Sequence, residues 1–251
     1  MEAELISHLE ASGYKARLVP VRHLFDLKKE FFDLYRSGLL DEELYRTYLT
    51  RFSFELPKDL PQARSILVVA VPQPQTRVTF TPDGVPLPLV VPPTYLHGEA
   101  VDQRVAALVT SLLAPQGFHV SPACLPLKLL AVHSGLAAYG KNNISYVDGL
   151  GSFYRLVALF SDLPCGQDPW QEARMLAACR NCSACQRRCP TGAIGGDRFQ
   201  LHAERCITFH NEKTSTVDFP EWFEEDWHNS LVGCMRCQLV CPQDKDLWRW
   251  I

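Results

Sequence analysis

Apolar residues recur at helical spacing in several stretches of the chain and run unbroken in one. Leu5, Ile6 and Leu9 mark one face of a short N-terminal helix that Gly13 stops. Residues 16–21 read as a strand. Between positions 27 and 49, Phe31, Leu34, Tyr35, Leu39, Leu44, Tyr45 and Tyr48 predict two helices broken near Gly38. Val101, Val105, Leu108, Val109 and Leu112 predict a helix over 99–113, and a further helix is expected over 125–134, ended by Gly135. Residues 66–71 are continuously apolar and rich in β-branched side chains, the pattern of a strand covered on both faces. Residues 72–93 predict a hairpin or extended loop turning at Asp83-Gly84. Two more strands, 144–147 and 153–160, are expected to be joined across Asp148-Gly149 and Gly151. Helices alternate with strands, so the first part reads as an α/β or α+β layered domain.

Composition narrows the chemistry. The chain has 251 residues, 47% hydrophobic and 21% charged, with a net charge of −3. Such a balance lacks the bulk electrostatic pull of a nucleic-acid or anionic-membrane binder. The longest apolar run, 66–72, is far too short to span a bilayer. The first residues are acidic rather than basic, so no secretory signal is expected and the protein is read as soluble and cytoplasmic.

The ten cysteines change the picture most, because eight of them lie at or beyond Cys179. Clustered thiols in a cytoplasmic chain point to metal rather than disulfides. This asymmetry divides the chain into residues 1–170 and a metal-binding part, 171–251. The first run is Cys179-x2-Cys182-x2-Cys185-x3-Cys189-Pro190. The second is Cys206, a long insertion, then Cys234-x2-Cys237-x3-Cys241-Pro242. The first has the spacing of a bacterial ferredoxin, in which the fourth cysteine of a run serves the other of two clusters. Three thiolates at this spacing wrap one face of a cubane while the next is carried away by the chain. Two crossed ligand sets follow: Cys179, Cys182, Cys185 and Cys241 for cluster one, and Cys189, Cys206, Cys234 and Cys237 for cluster two. The competing assignment is two structural zinc sites, though those usually pair one CxxC with a distant CxxC. From Cys179 onward nine Lys and Arg meet ten Asp and Glu, so the tail is no basic groove, and the aromatics of 221–227 are expected to cover the clusters.

These runs, continued as Pro-Thr-Gly-Ala-Ile after Cys189, by Arg205-Cys206-Ile207, and by 233–242, resemble the epoxyqueuosine reductase family, which is related to corrinoid-dependent reductive dehalogenases. The segment 133–142, ending Tyr139-Gly140-Lys141-Asn142, and the later Gly151-Ser152-Phe153 and Arg64-Ser65-Ile66 extend the resemblance from Leu60 to Trp248. The resemblance implies a nitroreductase-like layered domain that binds cobalamin, followed by a ferredoxin-like domain with two 4Fe-4S clusters. It implies cofactor-binding roles for Tyr139, Gly140, Lys141 and Asn142, and an electron donor such as ferredoxin or flavodoxin.

Three departures from the family pattern bear on the substrate. Ser121 stands where the family places a proton-donating aspartate, and serine is a poor acid near neutral pH. The chain ends ten residues after Cys241, where tRNA-acting members continue into a helical-repeat domain. A glycine-rich wall segment has become Gly-Leu-Ala-Ala-Tyr. The expected substrate is therefore a small molecule rather than tRNA, and no catalytic residue is assigned. The alternative is an electron-transfer protein that reduces a partner corrinoid protein. Cys124 and Cys165 are expected as small buried hydrophobes. His97 is the one histidine singled out as a candidate axial ligand, and His202, His210 and His228 are expected to hydrogen-bond or face water.

Overall fold

The structure is a computed structural model and describes residues 1–196, 199–213, 216–247 and 250–251; Trp248, the end of the family resemblance, lies outside the described residues. Four strands, β1 (Lys15–Pro20), β2 (Ser65–Pro72), β5 (Val120–Pro122) and β8 (Tyr154–Ser161), form one sheet in the order β1-β2-β8-β5. Every pairing in it is antiparallel, so the layered domain is α+β.

The unbroken apolar run of β2 has the physical cause expected of it. Successive side chains of a strand point to opposite faces. Ile66, Val68 and Ala70 enter one core with Leu27, Leu129 and Leu130, while Leu67, Val69 and Val71 enter another with Leu5, Leu9, Val105 and Val109. Helices α1 (Glu2–Ala11) and α4 (Gly98–Leu113) cover the second face; α2 (Leu24–Arg36) and α5 (Leu127–His133) cover the first. Each fully buried Val, Leu or Ile contributes about 1.5–3 kcal/mol, and β2 alone supplies five such side chains.

The break predicted near Gly38 is present, with Gly38 at φ 70°. The chain resumes in α3 (Glu42–Leu44), capped by the Asp41 carboxylate, which accepts from the Leu44 amide at 2.8 Å. A wide π-type turn follows over Tyr45–Leu49 and stacks Tyr45 on Tyr35 at 3.6 Å. The predicted hairpin is β3 (Thr76–Phe80) with β4 (Leu87–Val91), closed through Asp83 and Gly84, both at positive φ.

Two expectations are corrected. Strands expected over 144–147 and 153–160 do not pair with each other. Gly149 and Gly151, both at positive φ, close only a tight loop in which the Val147 amide bonds the Gly151 carbonyl at 2.9 Å. The first piece, β7 (Ser145–Tyr146), instead pairs with β6 (Ala138–Tyr139), and β8 joins the main sheet. Cys124 is exposed and Cys165 partly so, rather than buried; the Cys165 thiol donates to the Gln167 carbonyl at 2.7 Å.

Beyond residue 170 regular structure is short: α6 (Ala184–Arg188), α7 (Ile207–Asn211) and α8 (Arg236–Leu239). Backbone hydrogen bonds lace this part to the sheet domain. Tyr139 exchanges bonds with Arg174 and Leu176, and Val90 with Asn229 and Leu231. Val90, Phe153 and Met235 pack as a small core between the two parts. Among the described residues no helix is long and apolar enough to cross a membrane.

Candidate functional site

The cysteines converge through short turns and helices rather than through sheet. Cys179 ends a 3-10 turn, Cys185 lies in α6, and Cys189 follows α6 in an extended conformation before a turn through Pro190. Cys206 is extended at the start of α7, and Cys237 lies in α8. Their mutual electrostatics sort them into two groups. Cys185 is raised in pKa first by burial and then by the charges of Cys179, Cys241 and Cys182. Burial likewise pushes Cys234 up to about 11, with Cys206 and Cys189 adding to it. Cys237 is raised well above its usual value by burial and then by Cys234, Cys206 and, across the groups, Cys185. Cys206 is raised by burial, with Cys189 beside it. Cys241 thus acts on Cys185 of the first run, and Cys189 on Cys206 and Cys234 of the second.

Burial and mutual repulsion hold Cys185, Cys206, Cys234, Cys237 and Cys241 toward the protonated form, which a bound cation would reverse. Iron would provide that cation and release protons on binding. The donor set therefore fits two 4Fe-4S clusters. Among the described residues no three His, Cys, Asp or Glu side chains close tightly enough around one point to hold a single ion.

The Tyr139–Asn142 segment meets this cage. Lys141 Nζ donates to the Cys182 carbonyl at 2.8 Å and the Arg180 carbonyl at 3.4 Å, so it grips the loop carrying Cys179 and Cys182. Asn142 is buried, donates to the Tyr146 hydroxyl at 3.0 Å, and lies within hydrogen-bonding reach of Cys237. Tyr146 hydrogen-bonds Cys241, and burial holds its phenol neutral far above the ordinary range. Gly140 is required by this packing: a Cβ there would stand 2.6 Å from both Asn142 Oδ1 and Tyr146 Cε2.

Tyr139 points the other way, into a cavity of about 600 Å³. Phe31, Leu44, Phe52, Leu129 and Phe199 make most of its wall apolar. Lys128, which the sequence reading passed over, supplies a cation there. Its amine donates to the Asn143 carbonyl at 3.1 Å and to Asn143 Oδ1 at 3.3 Å. Desolvation lowers its pKa, and the charge of Cys206 acts in the opposite sense. Lys128 lines the cavity, as does Ala203, three residues before Cys206. No spacing rule could have found it, since Lys128 and Cys206 are joined only by the fold.

Other expected residues lie elsewhere. Ser121 is buried, donates to Asp59 Oδ1 at 3.0 Å, and is not among the described residues lining the cavity. His97 precedes α4 in a left-handed conformation, also away from that lining. Two of the three tail histidines hydrogen-bond as expected, His202 with Glu204 at 3.0 Å and His210 with the Glu204 carbonyl at 2.9 Å, whereas His228 packs against the Phe219 and Phe223 rings. The 219–228 rings form an interlocked group, Phe219, Phe223 and His228 among them, but Trp222 remains 44% exposed, so the cover is partial.

The fold and thiol set define an iron–sulfur protein in which a layered α+β domain precedes a double-cluster domain. Residues 178–244 match the family described as a 4Fe-4S double cluster binding domain. Beyond that domain, the resemblance to epoxyqueuosine reductases is borne out. The chain is 32% identical to the epoxyqueuosine reductase of Pseudomonas aeruginosa over 149 residues, 57% of this chain and 39% of that one. It therefore spans well under half the length of that relative. The fold is similar to that of epoxyqueuosine reductase from Streptococcus thermophilus, with TM-score 0.73 and 19% identity over 99% of this chain and 67% of the other. A second similar structure, at TM-score 0.69 and 22% identity, covering 97% of this chain and 65% of the other, is an epoxyqueuosine reductase with a tRNA-Tyr epoxyqueuosine-modified tRNA stem loop.

Proposed function

We propose that the protein is an iron–sulfur oxidoreductase that relays electrons through two 4Fe-4S clusters into the cavity bounded by Lys128 and Tyr139. The observation that carries this reading is the make-up of the cavity wall, which joins Tyr139 and Lys128 of the layered domain to Phe199, Leu201 and Ala203, the last only three residues before Cys206. Cys179, Cys182, Cys185 and Cys241 hold one cluster, and Cys189, Cys206, Cys234 and Cys237 the other. Residues 1–170 supply most of the cavity wall, and 171–251 supply the relay together with the rest of the wall, Phe199 included.

The clusters supply one-electron reducing equivalents, and a corrinoid in the cavity would supply a low-valent metal reductant. A cavity of about 600 Å³ suits a drug-sized ligand and admits only part of a corrinoid, so no step is assigned through one. The chain's own groups have clear tasks. Phe31, Phe52 and Phe199 exclude water. Lys128 presents a positive charge to an anionic group of the bound molecule. Tyr139 stays a neutral phenol because burial raises its pKa, so it serves as a hydrogen-bond donor. Lys141 and Asn142 act on the cluster side rather than on the cavity.

Anaerobic reconstitution tests the reading. Iron and sulfide should be bound together, and Cys182→Ser and Cys241→Ser should each halve both and leave the same surviving cluster signal. Different survivors would break the crossed assignment, and stoichiometric zinc without sulfide would break the whole reading. A base-off spectrum on adding hydroxocobalamin supports a corrinoid in the cavity; clusters that reduce normally without binding it favour the electron-transfer alternative. Reduction of an epoxyqueuosine-modified stem loop would overturn the small-molecule assignment.

A further inference from the structure

The near-neutral tail hides a segregation of charge. Residues 173–196 contain four arginines and no acidic residue, whereas 216–228 contain five acidic residues and no lysine or arginine. The arginines occupy the chain that wraps cluster one. Arg180 stands between Cys179 and Cys182, while Arg187 and Arg188 close α6 between Cys185 and Cys189. All three are exposed, and among the described residues none has an acidic partner. Arg187 spends one guanidinium nitrogen on the Ser183 hydroxyl. Beneath them, Lys141 adds a further positive charge where it grips the Arg180 carbonyl.

We propose that this arginine face is the docking surface for an acidic one-electron carrier protein that loads cluster one. The inference rests on the two-cluster reading above and adds the port by which electrons enter. Charge complementarity selects the occupant: unpaired guanidiniums attract an acidic face, and the stretch 216–228 turns that face away from the cluster-two side. A nucleic acid would also be drawn to arginines, but single strands bind by stacking on aromatic rings beside the charges. Residues 173–196 contain no aromatic residue, and the exposed rings Phe219 and Trp222 lie in the acidic stretch. Steering of this kind acts on the association rate, accelerates it about 10- to 1000-fold, and fades as salt screens it.

The test uses the full chain with both clusters reconstituted and a photoreduced acidic 2Fe-2S ferredoxin as the probe. Stopped-flow bleaching of the clusters is followed at low and high salt. The triple variant Arg180→Glu/Arg187→Glu/Arg188→Glu should lose at least about tenfold in second-order rate at low salt and lose most of its salt dependence. The milder Arg→Gln triple should fall between. Reversing Glu221, Glu224 and Glu225 to lysine should leave the rate unchanged or raise it. Iron and sulfide content, and the final extent of reduction by dithionite, should match wild type throughout. Unchanged rates in both triples overturn the docking surface, as does loss of RNA stem-loop binding with carrier rates intact. A wild-type chain without sulfide, or one that dithionite cannot reduce, sinks the cluster reading instead.

Discussion

Asp244 accepts two hydrogen bonds from Ser152, from its amide at 2.8 Å and from its hydroxyl at 2.7 Å. Gln238 completes the knot by donating to the same hydroxyl at 2.9 Å. All three residues are buried. The knot joins the turn before β8 to the chain just after Cys241, so it fixes a cluster-bearing loop on the sheet domain. Burial pushes the Asp244 carboxyl up to about 6, against the two bonds from Ser152 that favour its charge. Gly151 makes room: a Cβ there would collide with Asp244 Oδ1 and come within 2.8 Å of the Leu247 side chain.

Removing the acceptor leaves buried donors stranded, at about 1–3 kcal/mol each. Asp244→Ala is therefore expected to destabilise the reconstituted chain by about that amount or more, because two donors of Ser152 lose their acceptor. Gly151→Ala should do the same through steric clash and its positive φ of 58°. Anaerobic denaturant unfolding reads both. Wild-type midpoints in both variants would show that this contact does not hold the two parts together.

The parts of this site legible in the sequence are those in which chain spacing itself sets geometry. A CxxCxxCxxxCP run fixes where its thiols go whatever surrounds it, and the unbroken 66–71 run states that both faces of its strand are covered. The rest depends on which distant pieces meet. Lys128 follows Cys124 by four residues, and nothing local says that its amine bonds Asn143 or that it lines a cavity with Ala203. Ser145 and Tyr146 are only two residues of strand, so tertiary context chose Ala138 and Tyr139 as partners over the nearer-looking Phe153 stretch. Cys124 is small and apolar and still faces solvent, because the loop that carries it runs over the surface.

Lys141 makes a prediction that separates a cofactor-binding lysine from a cluster-tuning one. Its ammonium sits on the Cys182 and Arg180 carbonyls, on the wrap of cluster one, rather than among the described residues of the cavity wall. A nearby positive charge favours the more negative, reduced form of a cluster, and hydrogen bonding around the sulfurs acts with it. Lys141→Gln should lower the reduction potential of cluster one and leave cluster two in place, while Lys141→Arg should stay near wild type. EPR-monitored redox titration measures both signals separately. An unmoved cluster-one potential in Lys141→Gln would return the residue to a purely structural role.

A last prediction concerns pH. His133 is buried against the Trp170 ring, stacked at 4.8 Å, and Trp170 stacks in turn on His23 at 4.2 Å. The Nδ1–H of His133 donates to the Gln171 carbonyl at 2.6 Å, so Nε2 must also carry a proton to donate to the Glu30 carboxylate at 2.7 Å. Desolvation opposes that charge, but the bonds to Glu30 and Gln171 outweigh it and raise the pKa above the usual histidine value. A raised folded pKa contributes stability that is fully present below the unfolded value of about 6.5 and is lost as pH rises through the folded value. Glu30 also lines the cavity, and Gln171 opens the segment leading to the cysteines, so the pair ties both to α5. Wild-type stability should therefore decline from about pH 6.5 upward, and His133→Gln should be less stable at low pH and lack that part of the slope. Thermal midpoints of the two proteins across this range decide it: parallel curves would mean that His133 is neutral in the folded chain and that its bond to Glu30 carries no charge.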